Sequence, residues 1–107
     1  MSGKLTNLQT GATVELSVVS LIGRSTESSL LIEDPRVSRR HAIIRKQEDG
    51  YWFFDLGSFN GSYLNGSRVT TARQLSEGDV LNFADHEFKF SDADSANKEN
   101  SIEDQFG

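Results

Sequence analysis

Three short stretches of this 107-residue chain carry residue types that can do chemistry. In "LIGRS", Gly23-Arg24 places a guanidinium at the end of an apolar run. In "PRVSRRH", Pro35 to His41, Ser38 stands three residues before His41 among Arg36, Arg39 and Arg40. The third stretch, "DLGSFNGSYLNG", runs from Asp55 to Gly66 and holds two Asn-Gly steps five residues apart. Arginines and serine hydroxyls are donors suited to a small anion. Ser38 or Ser58 with His41 and Asp55 would instead make a hydrolase triad. That second reading lacks support nearby: there is no Gly-x-Ser-x-Gly nucleophile elbow and no Gly-rich P-loop. The chain has two histidines, no cysteine and no His-x-x-x-His spacing, so metal ligands are scarce as well. No catalytic residue, metal or cofactor is expected.

The elements that must position these residues read as strands. "TVELSVVSLIG", Thr13 to Gly23, is rich in β-branched residues, and its first part alternates. "HAIIRKQ" (His41–Gln47) and "YWFFDL" (Tyr51–Leu56) flank an Glu48–Gly50 turn and predict a hairpin. "DVLNF" and "HEFKFS" repeat the pattern around Ala84–His86, with Phe88 and Phe90 on one face. The consecutive aromatics Trp52, Phe53 and Phe54 read as core, with alternate rings facing opposite sides. Strand-length segments between Gly, Asn, Asp and Ser clusters predict an all-β, two-sheet antiparallel β-sandwich. The single proline, Pro35, falls in a loop.

Composition narrows the partners. Residues 1–91 hold ten Lys/Arg against eleven Asp/Glu, a balance of −1, whereas residues 92–107 carry −4 of the total −5. A nearly neutral body argues against general nucleic-acid binding, which needs a basic face, yet leaves room for a local anion site. No apolar run reaches membrane-span length, and "MSGKLTNLQTG" lacks the apolar core of a signal peptide. A soluble, cytoplasmic protein without disulfides is the expectation. The boundary is drawn after residue 91: residues 1–91 form the domain, and 92–107 form an acidic, disordered tail or linker. Oligomeric state is left open.

Each motif alone is weak, but their order and spacing together resemble the forkhead-associated (FHA) domain. That family shows Gly-Arg, then Ser-x-x-His about fifteen residues later, then an Asp-Leu-x-Ser-x-Asn-Gly-Thr-x-x-Asn-Gly block after one hairpin. The chain follows this order from Gly23 to Gly66, with strand-like segments extending it over about residues 4–91. The resemblance implies an FHA/SMAD-like sandwich that binds phosphothreonine peptides through loops at one end. Carried over by position, Arg24 and Ser38 correspond to phosphate ligands. Arg39 sits where the family often places a ligand-contacting Asn. Asn60 matches the residue that bonds the peptide backbone just after the phosphothreonine. Gly23 and His41 match members that hold the loops, and Gly61, Asn65 and Gly66 match turn formers.

The implied chemistry is coherent. A phosphate carries roughly −1.5 to −2 charges near neutral pH and three strong acceptor oxygens. A guanidinium and a serine hydroxyl supply donors without any covalent step. Two positions depart from the family. Ser62 stands where Thr is usual, which keeps the hydroxyl and loses a methyl. Phe59 replaces a polar residue beside the ligand and offers an apolar wall instead. Arg36 and Arg39 flank the loop, which predicts an acidic preference C-terminal to the phosphothreonine. The tail offers Ser95 and Ser101 but no threonine, so it is a poor self-ligand. The resulting expectation is a phosphothreonine-dependent signalling module within a larger protein. The alternatives are a phosphate-independent interaction domain on the same fold and, less favoured, a small hydrolase using Ser38 and His41.

Overall fold

The computed structural model describes residues 3–92. Eleven strands follow one another: β1 Gly3–Asn7, β2 Thr13–Glu15, β3 Val19–Gly23, β4 Leu30–Leu31, β5 Ala42–Gln47 and β6 Gly50–Asp55. They continue as β7 Tyr63–Leu64, β8 Ser67–Arg68, β9 Arg73–Gln74, β10 Val80–Phe83 and β11 His86–Asp92. One sheet has the order β2-β1-β11-β10-β7-β8, the other β4-β3-β5-β6-β9. No helix occurs among the described residues, and none is long and apolar enough to cross a membrane.

Alternation along the strands builds the core. Ile22 on β3, Ile44 on β5 and Phe53 on β6 are fully buried, and Leu5, Leu81, Phe83, Phe88 and Phe90 meet them from the opposite sheet. Phe83 sits centrally, with ring contacts to His41, Phe53 and Phe88 at centroid distances of 5.4, 6.0 and 6.1 Å. Tyr51 and Phe53 point inward, whereas Trp52 and Phe54 lie half-buried on the outer face, as the period of two requires.

Both expected hairpins form. β5 and β6 pair from Ala42↔Asp55 to Gln47↔Gly50, leaving a two-residue turn at Glu48-Asp49. β10 and β11 close at Phe83↔His86 around Ala84-Asp85, with Ala84 at φ 57°. His86 thus opens the strand rather than belonging to the turn.

Three features depart from the sequence expectation. The run Thr13–Gly23 is not one strand, because the chain leaves the first sheet after β2 and enters the second at β3. Leu16 is buried at this corner, and the Ser17 N–H donates to the Ser20 hydroxyl at 3.0 Å to fix it. The sandwich is also not wholly antiparallel. β4 lies parallel to β3, with Ile22↔Leu30 and Gly23↔Leu31 paired, because the intervening loop carries the chain back to the level at which it left. Finally, Asp92 was assigned to the tail but closes β11, opposite Gly3, and its N–H donates to Glu77 Oε1 at 2.7 Å. The rest of the tail reading, including Ser95 and Ser101, lies outside the described residues.

Candidate functional site

Three loops meet at one end of the sandwich: 24–29 after β3, 32–41 before β5, and 56–62 after β6. Their meeting begins at Gly23. Beyond it the Arg24 N–H donates to the Ser38 carbonyl at 3.0 Å and the Ser25 N–H to the Arg39 carbonyl at 3.1 Å. The 38–39 backbone therefore lies directly over Gly23. A Cβ at that position would stand 2.2 Å from the Arg39 carbonyl oxygen, so only glycine allows the approach.

Arg24 projects into solvent from this junction. Its Nε donates to the Val37 carbonyl at 3.0 Å, which orients the guanidinium and leaves its terminal nitrogens free to donate. Ser38 lies alongside. Its Oγ accepts from the Phe59 N–H at 3.0 Å, a bond that uses a lone pair and leaves the hydroxyl proton to donate outward.

His41 ties the second loop to the third. It is fully buried, and its Nδ1 accepts from the Ser38 N–H at 3.0 Å. With Nδ1 accepting, Nε2 carries the proton and donates to the Gly61 carbonyl at 2.9 Å. Both ring nitrogens are occupied by backbone, so the neutral imidazole acts as a spacer.

The third loop is organised by one carboxylate. Asp55 Oδ1 accepts from the Gly57 N–H at 2.9 Å and the Ser58 N–H at 2.8 Å. Oδ2 accepts from the Ser58 hydroxyl at 2.7 Å and the buried Ser62 hydroxyl at 2.5 Å. The Ser58 Oγ in turn accepts from the Gly61 N–H at 3.0 Å. Ser62 thus supplies the loop-holding bond for which a hydroxyl, not a methyl, is needed. Burial pushes the Asp55 carboxyl up, but the bonds from Ser62, Ser58 and Gly57 together outweigh it and hold it below its ordinary value of 3.8. Unfolded, Asp55 takes up a proton near that value; folded, only at lower pH. Its contribution to stability is therefore complete above about pH 4 and is lost as pH falls through the folded value. An Asp55→Asn variant is expected to be less stable at pH 7, with a flatter decline below pH 4, in urea unfolding followed across pH.

The two Asn-Gly steps differ in geometry. At Asn65-Gly66 both φ angles are positive, 51° and 87°, giving the tight turn between β7 and β8. Asn65 does more than turn the chain. Its Oδ1 accepts from the Val80 N–H and its Nδ2 donates to Asp79, clamping the turn to the start of β10. At the other step only Gly61 has positive φ, 89°. Exposed Asn60 donates from Nδ2 to the Arg36 carbonyl at 2.7 Å, which brings it against the second loop.

This end of the molecule thus brings together a free guanidinium edge at Arg24, an unspent hydroxyl at Ser38 and an exposed amide at Asn60. The profile of the FHA domain matches residues 20–84, more than half of the chain. The chain belongs to the FHA domain family. Among curated relatives, "FHA domain-containing protein FhaB" of Mycobacterium tuberculosis is 41% identical over 70 residues, covering 64% of this chain and 45% of the relative. "Transcriptional regulatory protein EmbR" of the same species is 36% identical over 69 residues, covering 64% of this chain and only 18% of that protein. This chain therefore matches less than half the length of either relative. Among solved structures, M. tuberculosis EmbR in complex with a low-affinity phosphopeptide superposes with TM-score 0.82 at 31% identity, over 84% of this chain and 24% of that one. A structure described as an analysis of phosphothreonine-dependent FHA domain interactions gives 0.79 at 31% identity, over 85% and 96%.

Within this FHA domain the remaining residues fall into different places. Arg36 turns away from the anion donors. Its guanidinium makes a forked pair with Asp34 at 3.1 and 2.7 Å and also bonds Asp85 at 2.8 Å. Arg36 is the main cause that holds Asp34 far below the ordinary carboxylate range, with help from the His86 side chain. Asp34, Asp85 and His86 bring ligand atoms within 4.8 Å of one another, but Arg36 already supplies the positive charge there. Of the two arginines from which an acidic preference was expected, Arg36 is thus ion-paired and Arg39 is exposed. Arg40 reaches Glu27 at 3.9 Å between two exposed side chains. Phe59, 89% exposed, stands beside Ser38 as an unpacked ring.

The triad arrangement does not form: Asp55 bonds Ser58 and Ser62 rather than His41, and Ser38 meets His41 only through its backbone N–H. The sequence reading underrated Asp55. Its signal was present in the Gly and Ser two and three positions later, the spacing of an Asx turn.

Proposed function

We propose that this FHA domain is a phosphothreonine-dependent peptide-binding module that mediates signalling interactions. The observation that carries it is the junction of Arg24 and Ser38, where a backbone bond holds an exposed guanidinium and a serine hydroxyl on adjoining segments. Arg24 and Ser38 hold the phosphate, Asn60 bonds the peptide backbone just after the phosphothreonine, and Arg39 lies beside them as a further cation. Gly23, His41, Gly61, Asn65 and Gly66 fix the loops. Because the donors are set by backbone bonds, binding orders little of the protein, which favours affinity for a small, doubly charged group. The relatives' phosphopeptide complex and phosphothreonine-dependent interactions support this assignment.

The test is an NMR titration with pooled phosphothreonine peptides and their unphosphorylated counterparts. Shifts at Arg24, Ser38 and Asn60 are expected with the phosphorylated pool alone. Equal binding of both pools, away from these residues, would instead favour a phosphate-independent interaction domain.

A further inference from the structure

The segment Asp34-Pro35-Arg36-Val37 makes a tight turn, closed by the Val37 N–H donating to the Asp34 carbonyl at 2.8 Å. Asp at the first position and Pro at the second suit such a turn. The Asp34 carboxylate holds it from the side. Its Oδ1 accepts from the Arg36 N–H at 2.8 Å and Arg36 Nε at 3.1 Å, and its Oδ2 from Arg36 Nη2 at 2.7 Å. Oδ2 also accepts from His86 Nε2 at 2.8 Å, 52 residues away on the other sheet. An ionised carboxylate only accepts, so His86 donates whatever its own charge. Arg36 reaches the same hairpin through Asp85 at 2.8 Å. Only 13% of the Asp34 side chain is exposed, so water competes little for these bonds. The two carbonyls that leave this turn are the ones that meet the site. That of Arg36 accepts from Asn60 Nδ2 at 2.7 Å, and that of Val37 accepts from Arg24 Nε at 3.0 Å. The FHA profile ends at residue 84, so His86 lies beyond it.

We propose that Asp34 is a positioning residue for peptide recognition, anchored on the β10–β11 hairpin by His86 and aiming Asn60 and Arg24 through the Arg36 and Val37 carbonyls. The inference rests on the phosphopeptide reading above and asks Asp34 to touch no ligand. Asn60 and Arg24 are both exposed and come from different loops. A side chain free to rotate loses entropy when it grips a ligand. Bonding both to neighbouring carbonyls of one turn sets their spacing before the peptide arrives, which lowers that cost. The loop that carries the turn, 32–41, contains no strand. Backbone bonds at Ile32, Ser38 and Arg39 fix its two ends, and the Asp34 bonds fix its middle.

The experiment compares Asp34→Ala, His86→Phe, which keeps a ring without a donor, and His86→Gln, which keeps an N–H. In the free protein, NMR reads the side-chain signals of Asn60 Nδ2 and Arg24 Nε. Both are expected to move toward the values of free side chains in Asp34→Ala and in His86→Phe, and to return toward wild type in His86→Gln. Affinity is read with the phosphothreonine peptide of the pool that wild-type protein binds tightest. It is expected to fall about three- to thirtyfold in Asp34→Ala, and by a smaller factor where Asn60→Ala is already present. The proposal is overturned if the Asn60 and Arg24 signals keep their wild-type positions in Asp34→Ala. It is also overturned if the affinity loss is absent, or is the same with and without Asn60→Ala, as a general weakening of the fold would make it. Should Asp34→Ala fail to fold, like signals in His86→Phe and His86→Gln overturn it. No binding of any phosphorylated peptide by wild-type protein would overturn the underlying reading, and the proposal with it.

Discussion

Arg24→Ala is expected to weaken phosphothreonine-peptide binding at least about thirtyfold while leaving a folded protein. Truncating one member of a hydrogen-bonded charge pair at an interface costs about 2–5 kcal/mol, or about thirtyfold to several thousandfold in affinity. The folded state gives up much less. Arg24 is exposed, and the one bond its side chain makes among the described residues, Nε to the Val37 carbonyl, is worth about 1 kcal/mol. Calorimetric titration and thermal unfolding of the same variant separate the two effects. Arg24→Lys should recover part of the affinity, because it keeps the charge but loses the fork and the bond that aims it. An Arg24→Ala protein that bound within threefold of wild type would remove Arg24 from the phosphate site.

Gly23→Ala is expected to lower stability by about 3–5 kcal/mol, the largest effect of a single methyl in this domain. Gly23 does not need positive φ; the constraint is contact. The added Cβ would lie 2.2 Å from the Arg39 carbonyl oxygen, 2.8 Å from its carbon and 2.9 Å from the Ser38 oxygen. All three are backbone atoms, so no side chain can swing aside. Relief requires lifting residues 38–39 from β3, which breaks the bonds from Arg24 N–H and Ser25 N–H. Overpacking costs about 1–3 kcal/mol and each lost bond about 1 kcal/mol. Small domains hold only about 5–15 kcal/mol in total, so urea unfolding should show a much earlier midpoint. Whatever fraction stays folded should bind peptide poorly, because Ser38 has moved from Arg24. An unchanged midpoint would mean that the two segments are not pressed together as described.

Local patterning made much of this molecule legible. The β5–β6 and β10–β11 hairpins are two-residue connections between alternating strands, so their partners were adjacent in the chain. The site motif was legible for a different reason: its residues are fixed by type and order, and the resemblance spans all three loops. Distant partners left no such trace. Arg36 looked like a free cation beside Arg39, yet Asp85, 49 residues away, helps to neutralise it. Arg68 lies against Gly61 only because the Asn65-Gly66 turn returns the chain, a contact between residues seven apart that no local pattern announces. The crossing between sheets at Leu16–Val18 was hidden because a β-branched run reads the same in either sheet.

The pairing of Gly3 with Asp92 has a consequence for how the domain is carried. β11 begins at His86, whose Nε2 bonds Asp34 in the recognition loops at 2.8 Å, and ends six residues later opposite Gly3. At about 3.4 Å per residue, that strand sets the two ends of the fold side by side about 20 Å from the loops. The described chain therefore enters and leaves the fold at one place, at the far end of β11 from the loops. Such a unit can be spliced into a surface loop of another protein, or flanked by bulky neighbours, without either arm crossing the loops.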